Sequence, residues 1–123
     1  MNTALHQEIE NDLLRAKKAL ESAHRNIDAN DHFTAANRTF VAAENVAYII
    51  LKSTFGSSSV SRKKILTHLG QKNSEAKGIY DEAYDLRVQA DYGRSSSGHP
   101  LTKENVLQVL ERVEALIAEL SKR

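Results

Sequence analysis

Apolar side chains recur every three or four residues through most of this 123-residue chain, and that spacing restricts the fold more than any other feature. Because an α-helix has about 3.6 residues per turn, residues at this spacing share one face. The first stripe consists of Leu5, Ile9, Leu13, Ala16, Leu20, Ala23 and Ile27. We therefore expect an amphipathic helix that buries this stripe against other helices.

A second stripe follows a polar interruption between Asp28 and Asp31, where short polar side chains favour a turn or a new N-cap. It consists of Phe33, Ala36, Phe40, Ala43, Ala47 and Ile50. Gly56 is expected to end this helix, because glycine readily adopts the left-handed conformation found after helix ends. The small side chains in the stripe predict that a neighbouring helix approaches closely.

A short helix and two more long helices are expected in the second half of the chain. The short helix spans Arg62 to Leu69, with Ser61 as its predicted N-cap and Gly70 as its predicted end. The two long helices carry the stripes Ala76, Ile79, Ala83, Leu86 and Ala90, and Val106, Leu110, Val113, Ile117 and Leu120.

Residues that begin or end helices also flank these last two stripes. Ser74 and Thr102 are the predicted N-caps, and Gly93 is the predicted end of the first of the two helices. We therefore predict an all-α fold, an up-and-down antiparallel bundle of four long helices plus one short helix. The length suits a single domain over residues 1–123.

Composition limits the possible function classes. The chain has 17 lysines and arginines against 16 aspartates and glutamates, a formal net charge of +1, so any nucleic-acid site must be local. It has no cysteine for disulfides or thiolate metal sites, and its longest apolar run, residues 46–51, is too short to span a bilayer. The polar N-terminus does not have the pattern of a signal peptide. These features predict a cytoplasmic protein without a membrane partner.

The fourth predicted helix carries a group of polar and aromatic side chains beside its apolar stripe. Tyr80, Tyr84, Arg87 and Asp91 are spaced by four, three and four residues, so they share one edge of the helix. Glu44 has a similar edge position on the second helix and could reach Arg87 across the bundle. One interpretation is a structural ion pair that sets helix register. The other is an arginine positioned for a phosphate.

The loop after this helix contains the second candidate pair, Arg94 and His99. The arginine could hold a phosphate while the histidine acts as general acid or base. In a serine- and glycine-rich loop, such residues are also commonly solvent-exposed and uncommitted. We interpret Asp12 as an ordinary surface residue of the first helix. The remaining histidines are not spaced in a way that is typical of metal ligands. We therefore assign no metal site and no cofactor.

The motifs taken together resemble the HEPN family of all-helical nucleotide-binding domains, and most closely its minimal prokaryotic branch. The resemblance covers nearly the whole chain. It rests on the pattern Ala36-x-x-x-Phe40-Val-Ala-Ala-Glu44-Asn-Val-Ala-Tyr-Ile-Ile-Leu51, on Lys64-Ile-Leu-Thr-His68, on Thr102-Lys-Glu-Asn, and above all on Leu86-Arg87-Val-Gln-Ala-Asp91-Tyr92. This last string is similar to the branch signature Arg-x-x-Ala-Asp-Tyr.

The resemblance implies a homodimer, commonly paired with a minimal nucleotidyltransferase as a toxin–antitoxin system. Active family members are metal-independent ribonucleases that use an arginine followed a few residues later by a histidine. Counted from Arg87, the histidine position holds Tyr92, whereas counted from Arg94 the spacing fits His99. Catalysis would then depend on Arg94 with His99, or on Arg87 with His99.

Three functions remain open from the sequence. The first is a non-catalytic or weakly catalytic module that binds a nucleotide, RNA or a nucleotidyltransferase partner through Arg87, Asp91 and Tyr92, with Tyr84 and Glu44 beside them. The second is a ribonuclease toxin of the same fold. The third is a structural helical adaptor in which the polar group only sets register.

Overall fold

Five α-helices make up the fold, as seen in a computed structural model that describes residues 3–56, 62–93 and 98–122. They are α1 (Thr3–Asp28), α2 (His32–Phe55), α3 (Arg62–Lys72), α4 (Ser74–Tyr92) and α5 (Lys103–Ser121). The predicted all-α bundle of four long helices and one short helix is confirmed.

Contacts between side chains show that neighbouring long helices run antiparallel. Asp12 of α1 pairs with Lys52 near the end of α2, at 2.8 Å. Asn37 near the start of α2 lies 3.4 Å from Asp91 near the end of α4. The early residues of each helix therefore meet the late residues of the helix beside it. The pairs His24–Glu114 and Asn30–Lys103 show the same antiparallel order for α1 with α5, and Glu82–Arg112 joins the middles of α4 and α5.

Helix α2 is the centre of the bundle and packs against all four other helices. Its buried face contains five alanines, Ala35, Ala36, Ala42, Ala43 and Ala47. Because alanine lets helix backbones approach closely, α5 contacts α2 directly across one diagonal of the bundle. Across the other diagonal, α1 and α4 make no contact within the described residues. Helices α1 and α4 therefore lie on opposite sides of α2, and the outer face of α2 lies between them.

Most of the predicted helix ends are confirmed. Gly56 and Gly93 have left-handed backbone angles, φ 80° and φ 66°, after α2 and α4. The Thr102 hydroxyl accepts a hydrogen bond from the Asn105 backbone N–H at 3.1 Å and caps α5. Asp31 caps α2, because its carboxylate accepts hydrogen bonds from the Thr34 N–H and hydroxyl.

Two predicted boundaries around α3 and α4 are wrong. Helix α3 continues through Gly70 to Lys72, and a Cβ at Gly70 would lie 2.9 Å from the Lys77 side chain. This glycine therefore lies against the Lys77 side chain of α4 instead of ending a helix. Asn73, not Ser74, caps α4, because its side-chain oxygen accepts the Ala76 N–H at 3.0 Å. The predicted cap Ser61 lies outside the described residues.

Phe33 is a further correction, because the α2 stripe predicted it in the core. The side chain is 54% exposed and its ring stacks on His32, with 4.7 Å between ring centroids. It lies in the first turn of α2, where the helix begins at the end of the bundle and no neighbouring helix covers it.

Candidate functional site

A shallow groove of about 460 Å³ lies between the first half of α2 and the middle of α4. Its lining residues are Asn37, Arg38, Phe40, Val41, Glu44, Tyr80, Tyr84 and Arg87. The structure thus brings Glu44, Tyr84 and Arg87, which the sequence placed on the edges of two separate helices, to one surface. Antiparallel packing of α2 on α4 is what joins them.

Arg87 is held from two directions. Its Nε lies 3.2 Å from Asp91 Oδ2, one turn further along α4, so the predicted pair is present. The guanidinium carbon lies 5.3 Å from the centre of the Phe40 ring and 6.0 Å from that of Tyr84. Both are cation–π distances. The guanidinium is therefore positioned before any ligand arrives, while its side chain stays partly exposed.

Glu44 lies at the floor of the groove, half-buried and within the electrostatic reach of Arg87. Burial raises the pKa of its carboxyl, and the Arg87 charge and a hydrogen bond with Tyr48 offset only part of that rise. Burial also raises the pKa of Tyr48, and the charges of Glu44 and Asp12 raise it further. Tyr48 is therefore a neutral phenol near neutral pH and donates its O–H to Glu44.

Aromatic rings form the wall of the groove on the α4 side. Phe40 meets Tyr80 edge to face at 5.4 Å between centroids, and meets Tyr84 in the same way at 5.6 Å. Tyr80 is fully buried and belongs to the core, whereas Tyr84 is half-buried and borders the groove. Tyr84 is thus the aromatic ring of this wall that a bound molecule can contact.

Two exposed aromatic rings lie at the same end of the bundle as the groove. Tyr92, the last residue of α4, is 67% exposed, and Phe33 lies in the first turn of α2. Asn37, one turn after Phe33, donates a hydrogen bond to Asp91, which precedes Tyr92. The hydrogen bond places the two helix ends beside each other. The sequence predicted Tyr92 here, but it did not predict Phe33 as a surface ring.

His99 is held on a different side of α4. Gln89 Nε2 donates to the His99 carbonyl at 2.6 Å, and Gln89 Oε1 accepts the Leu101 N–H at 3.0 Å. The imidazole Nε2 lies 3.5 Å from Glu82, whose carboxylate also pairs with Arg112 of α5. These contacts anchor His99 between α4 and α5.

The position of His99 bears on its predicted partners. Arg87 and Gln89 are two residues apart, about 200° around the helix, so Arg87 faces α2 while Gln89 faces the other way. Within one chain, therefore, His99 does not share a surface with Arg87. Arg94, its other predicted partner, lies outside the described residues, and the pairing of Arg94 with His99 stays a prediction.

The prediction that Asp12 lies on the helix surface is wrong, because this residue is buried. Its side chain is 1% exposed and accepts hydrogen bonds from Arg15 at 2.5 Å and from Lys52 at 2.8 Å. Arg15 also donates to Asn45 of α2 at 3.4 Å. The spacing in the sequence could have indicated this burial, because Asp12 is three residues after Ile9 and four before Ala16, within the buried stripe of α1.

No model of a known protein family matches the chain, and a search of curated proteins found no match either. The resemblance to the HEPN family therefore stays a prediction from the residues quoted in the sequence analysis. No helix in the described part of the chain is both long enough and apolar enough to cross a bilayer. In residues 3–56, 62–93 and 98–122, no three histidine or carboxylate side chains converge in a metal-binding arrangement.

Proposed function

We propose that this chain is a HEPN-like, non-catalytic binding module whose groove at Arg87 takes the phosphate of a nucleotide, either free or within single-stranded RNA. The observation that carries the proposal is the arginine itself. Asp91, Phe40 and Tyr84 hold it in place at an open groove. A guanidinium that is positioned in advance loses little entropy on binding and matches phosphate oxygens through paired hydrogen bonds.

The aromatic side chains near Arg87 support a nucleotide over an isolated phosphate ion. Tyr84 borders the groove, and Tyr92 and Phe33 are exposed at the same end of the bundle. Nucleobases stack on such rings with little dependence on sequence. A nucleotide with its phosphate at Arg87 would have its base close to these rings.

The charges of the groove limit the size of the ligand. Arg38 and Arg87 contribute two positive charges, and Glu44 and Asp91 contribute two carboxylates. A surface that is balanced in this way releases few counterions, so it does not suit a long duplex. We therefore expect recognition of one or two phosphates, with most of the discrimination coming from Arg87 and the aromatic rings.

Calorimetric titration of adenosine monophosphate and of a short single-stranded RNA tests this proposal. Arg87→Ala should weaken binding about tenfold or more, since a hydrogen bond to a charged group contributes about 1.5–3 kcal/mol. The affinity of Arg87→Lys should fall between those of the parent and Arg87→Ala, because lysine keeps the charge but cannot form the paired hydrogen bonds. Arg112→Ala is the matched control, because it removes an arginine paired with an α4 carboxylate away from the groove.

Thermal unfolding of the same variants separates binding from a structural role. The Arg87–Asp91 pair is partly exposed, so its loss should cost well under about 1 kcal/mol and leave the melting temperature near that of the parent. Unchanged binding by Arg87→Ala would reject the nucleotide proposal. A large loss of stability without a change in binding would favour the structural adaptor.

A ribonuclease toxin is the second candidate, and the contact of His99 with Glu82 favours it. A carboxylate beside an imidazole orients the ring, and general acid–base catalysis requires such fixed geometry. The purified protein should then degrade RNA without added metal, and His99→Ala or Arg94→Ala should abolish the activity. Equal cleavage by His99→Ala and the parent would remove His99 from the mechanism.

A further inference from the structure

A second pocket lies at the end of the bundle opposite the groove. It has a volume of about 410 Å³ and is enclosed by the start of α1, the ends of α2 and α5, and the junction of α3 with α4. Five aliphatic side chains form its walls: Ile9, Ile49, Ile50, Leu116 and Leu120. This volume falls in the range of about 300–1,000 Å³ that is usual for small-molecule sites.

Polar residues complete the lining of this pocket: His6, Ser53, Thr54, Lys72, Asn73 and Glu119. Ser53 and Thr54 contribute hydroxyls from the last turns of α2, and Lys72 contributes an ammonium from the end of α3. Lys72 is exposed, and no ion pair joins it to the described parts of the chain. Glu119 of α5 is the carboxylate of the lining. Aliphatic walls beside an exposed cation and two hydroxyls fit a ligand that is apolar at one end and anionic at the other.

We propose that this pocket binds an aliphatic monocarboxylate, a short- or medium-chain fatty acid. The alkyl chain lies among the isoleucines and leucines, and the carboxylate lies at the mouth, near Lys72 and the hydroxyls of Ser53 and Thr54. A single lysine complements a single negative charge, and Glu119 would repel a second one. The site is independent of the proposed nucleotide groove, because the two lie at opposite ends of the bundle.

Titration of the full chain with hexanoate, octanoate and decanoate tests the proposal, with the methyl signals of Ile9, Ile49 and Ile50 followed by NMR. Each methylene buried in an apolar site contributes a factor of about four in affinity, until the pocket is full. We therefore expect saturable shifts of these three isoleucines and a dissociation constant that falls with chain length. Absence of saturable shifts for all three acids would overturn the proposal.

Two comparisons separate this site from unspecific adsorption. Lys72→Met should weaken octanoate binding about tenfold and change octanol binding less than about twofold, since only the acid has a charge to pair. Lys17→Met, at an exposed lysine of α1, is the matched control and should bind octanoate like the parent. Equal losses in the two variants, or octylamine binding as tight as octanoate binding, would show that Lys72 does not select an anion.

A variant that fills the pocket checks the location by a different route. Leu120 is only partly buried, so Leu120→Phe adds volume at the pocket wall without displacing the centre of the core. With an unchanged circular-dichroism spectrum, this variant should lose octanoate binding and keep nucleotide binding at the groove. Octanoate binding at the parent affinity would place the ligand elsewhere on the protein.

Discussion

The buried carboxylate of Asp12 is the clearest case of a residue whose role depends on its partners. Lys52 and Arg15 neutralise it, and Arg15 extends the hydrogen bonding to Asn45. An unpaired charge at this depth would be very costly, so the pairs are what allow Asp12 to stay within the apolar stripe of α1. The result is a polar connection between α1 and α2 that has one favourable register.

Asp12→Ala should therefore destabilise the protein by about 3 kcal/mol, because it leaves the largely buried Lys52 ammonium without its carboxylate. Urea denaturation measures the change. Glu21→Ala, at an exposed acidic position of the same helix, is the control and should change the free energy of unfolding by less than about 0.5 kcal/mol. Equal effects of the two substitutions would mean that Asp12 behaves as a surface residue.

Glu44 predicts a pH dependence of stability with a definite sign. Because burial raises its pKa in the folded state, the protein gains stability from this group below the unfolded pKa of about 4.5. It loses that contribution as the pH rises through the raised folded pKa. Glu44→Gln removes the ionisation, so the variant should gain stability relative to the parent as the pH increases from about 3 to 7. Because Glu44 is only half-buried, the gain should stay below about 1 kcal/mol.

Urea denaturation of both proteins across this pH range is the measurement for Glu44. A Gln variant that becomes less stable than the parent with rising pH would mean that the attraction of Arg87 outweighs burial. In that case the pKa of Glu44 would be lowered in the folded state.

At the scale of helices, glycine has three different roles in α3 and α4. Gly70 lies inside α3 against the Lys77 side chain, Gly93 takes a left-handed conformation after α4, and Gly78 lies inside α4 with open space around it. Only the second role matches the usual interpretation of glycine as the end of a helix. Sequence alone did not distinguish the first from the second, because both glycines follow an apolar stripe.

Alanine substitutions at Gly78 and Gly93 should have opposite effects. Gly78→Ala should stabilise the protein by about 0.5–1 kcal/mol, because alanine favours a helix interior and the added methyl meets no atom. Gly93→Ala should destabilise it by about 1 kcal/mol, because φ is 66° there. Thermal unfolding gives both values, and shifts of the same sign would contradict these assigned roles.

At the scale of the whole molecule, the antiparallel order of the helices separates the two candidate sites. The first half of α2 and the middle of α4 form the groove toward one end, whereas the start of α1 and the ends of α2 and α5 form the aliphatic pocket at the other. Both sites include α2, since it is the helix that contacts all the others. Ligands at the two sites should therefore bind independently, unless α2 itself shifts.

The resemblance to HEPN domains predicts a homodimer. Light scattering coupled to size-exclusion chromatography should then give about twice the 13.7 kDa mass of the chain at micromolar concentration. Tyr92→Ser provides a comparison, because it removes the most exposed of the large apolar side chains in the described residues. A monomer at all concentrations would contradict this expectation while leaving the nucleotide proposal intact.

The sequence by itself determined the helices and most of their ends. Spacing by three and four residues is a local property of the backbone, and so are the caps at Thr102 and the left-handed glycines at Gly56 and Gly93. The pairing of Arg87 with Asp91 was predictable for the same reason, since the two residues lie one turn apart on a single helix.

Only the tertiary structure decided which helices meet and which side chains are buried. The burial of Asp12, the exposure of Phe33 and the placing of His99 away from Arg87 all depend on residues distant in the chain. Hydrophobic pattern specifies a face of each helix but not its neighbour or its register along that neighbour. Contacts such as that of Lys52 with Asp12 select the neighbouring helix and its register, because charge pairing and close packing act only once the helices are assembled.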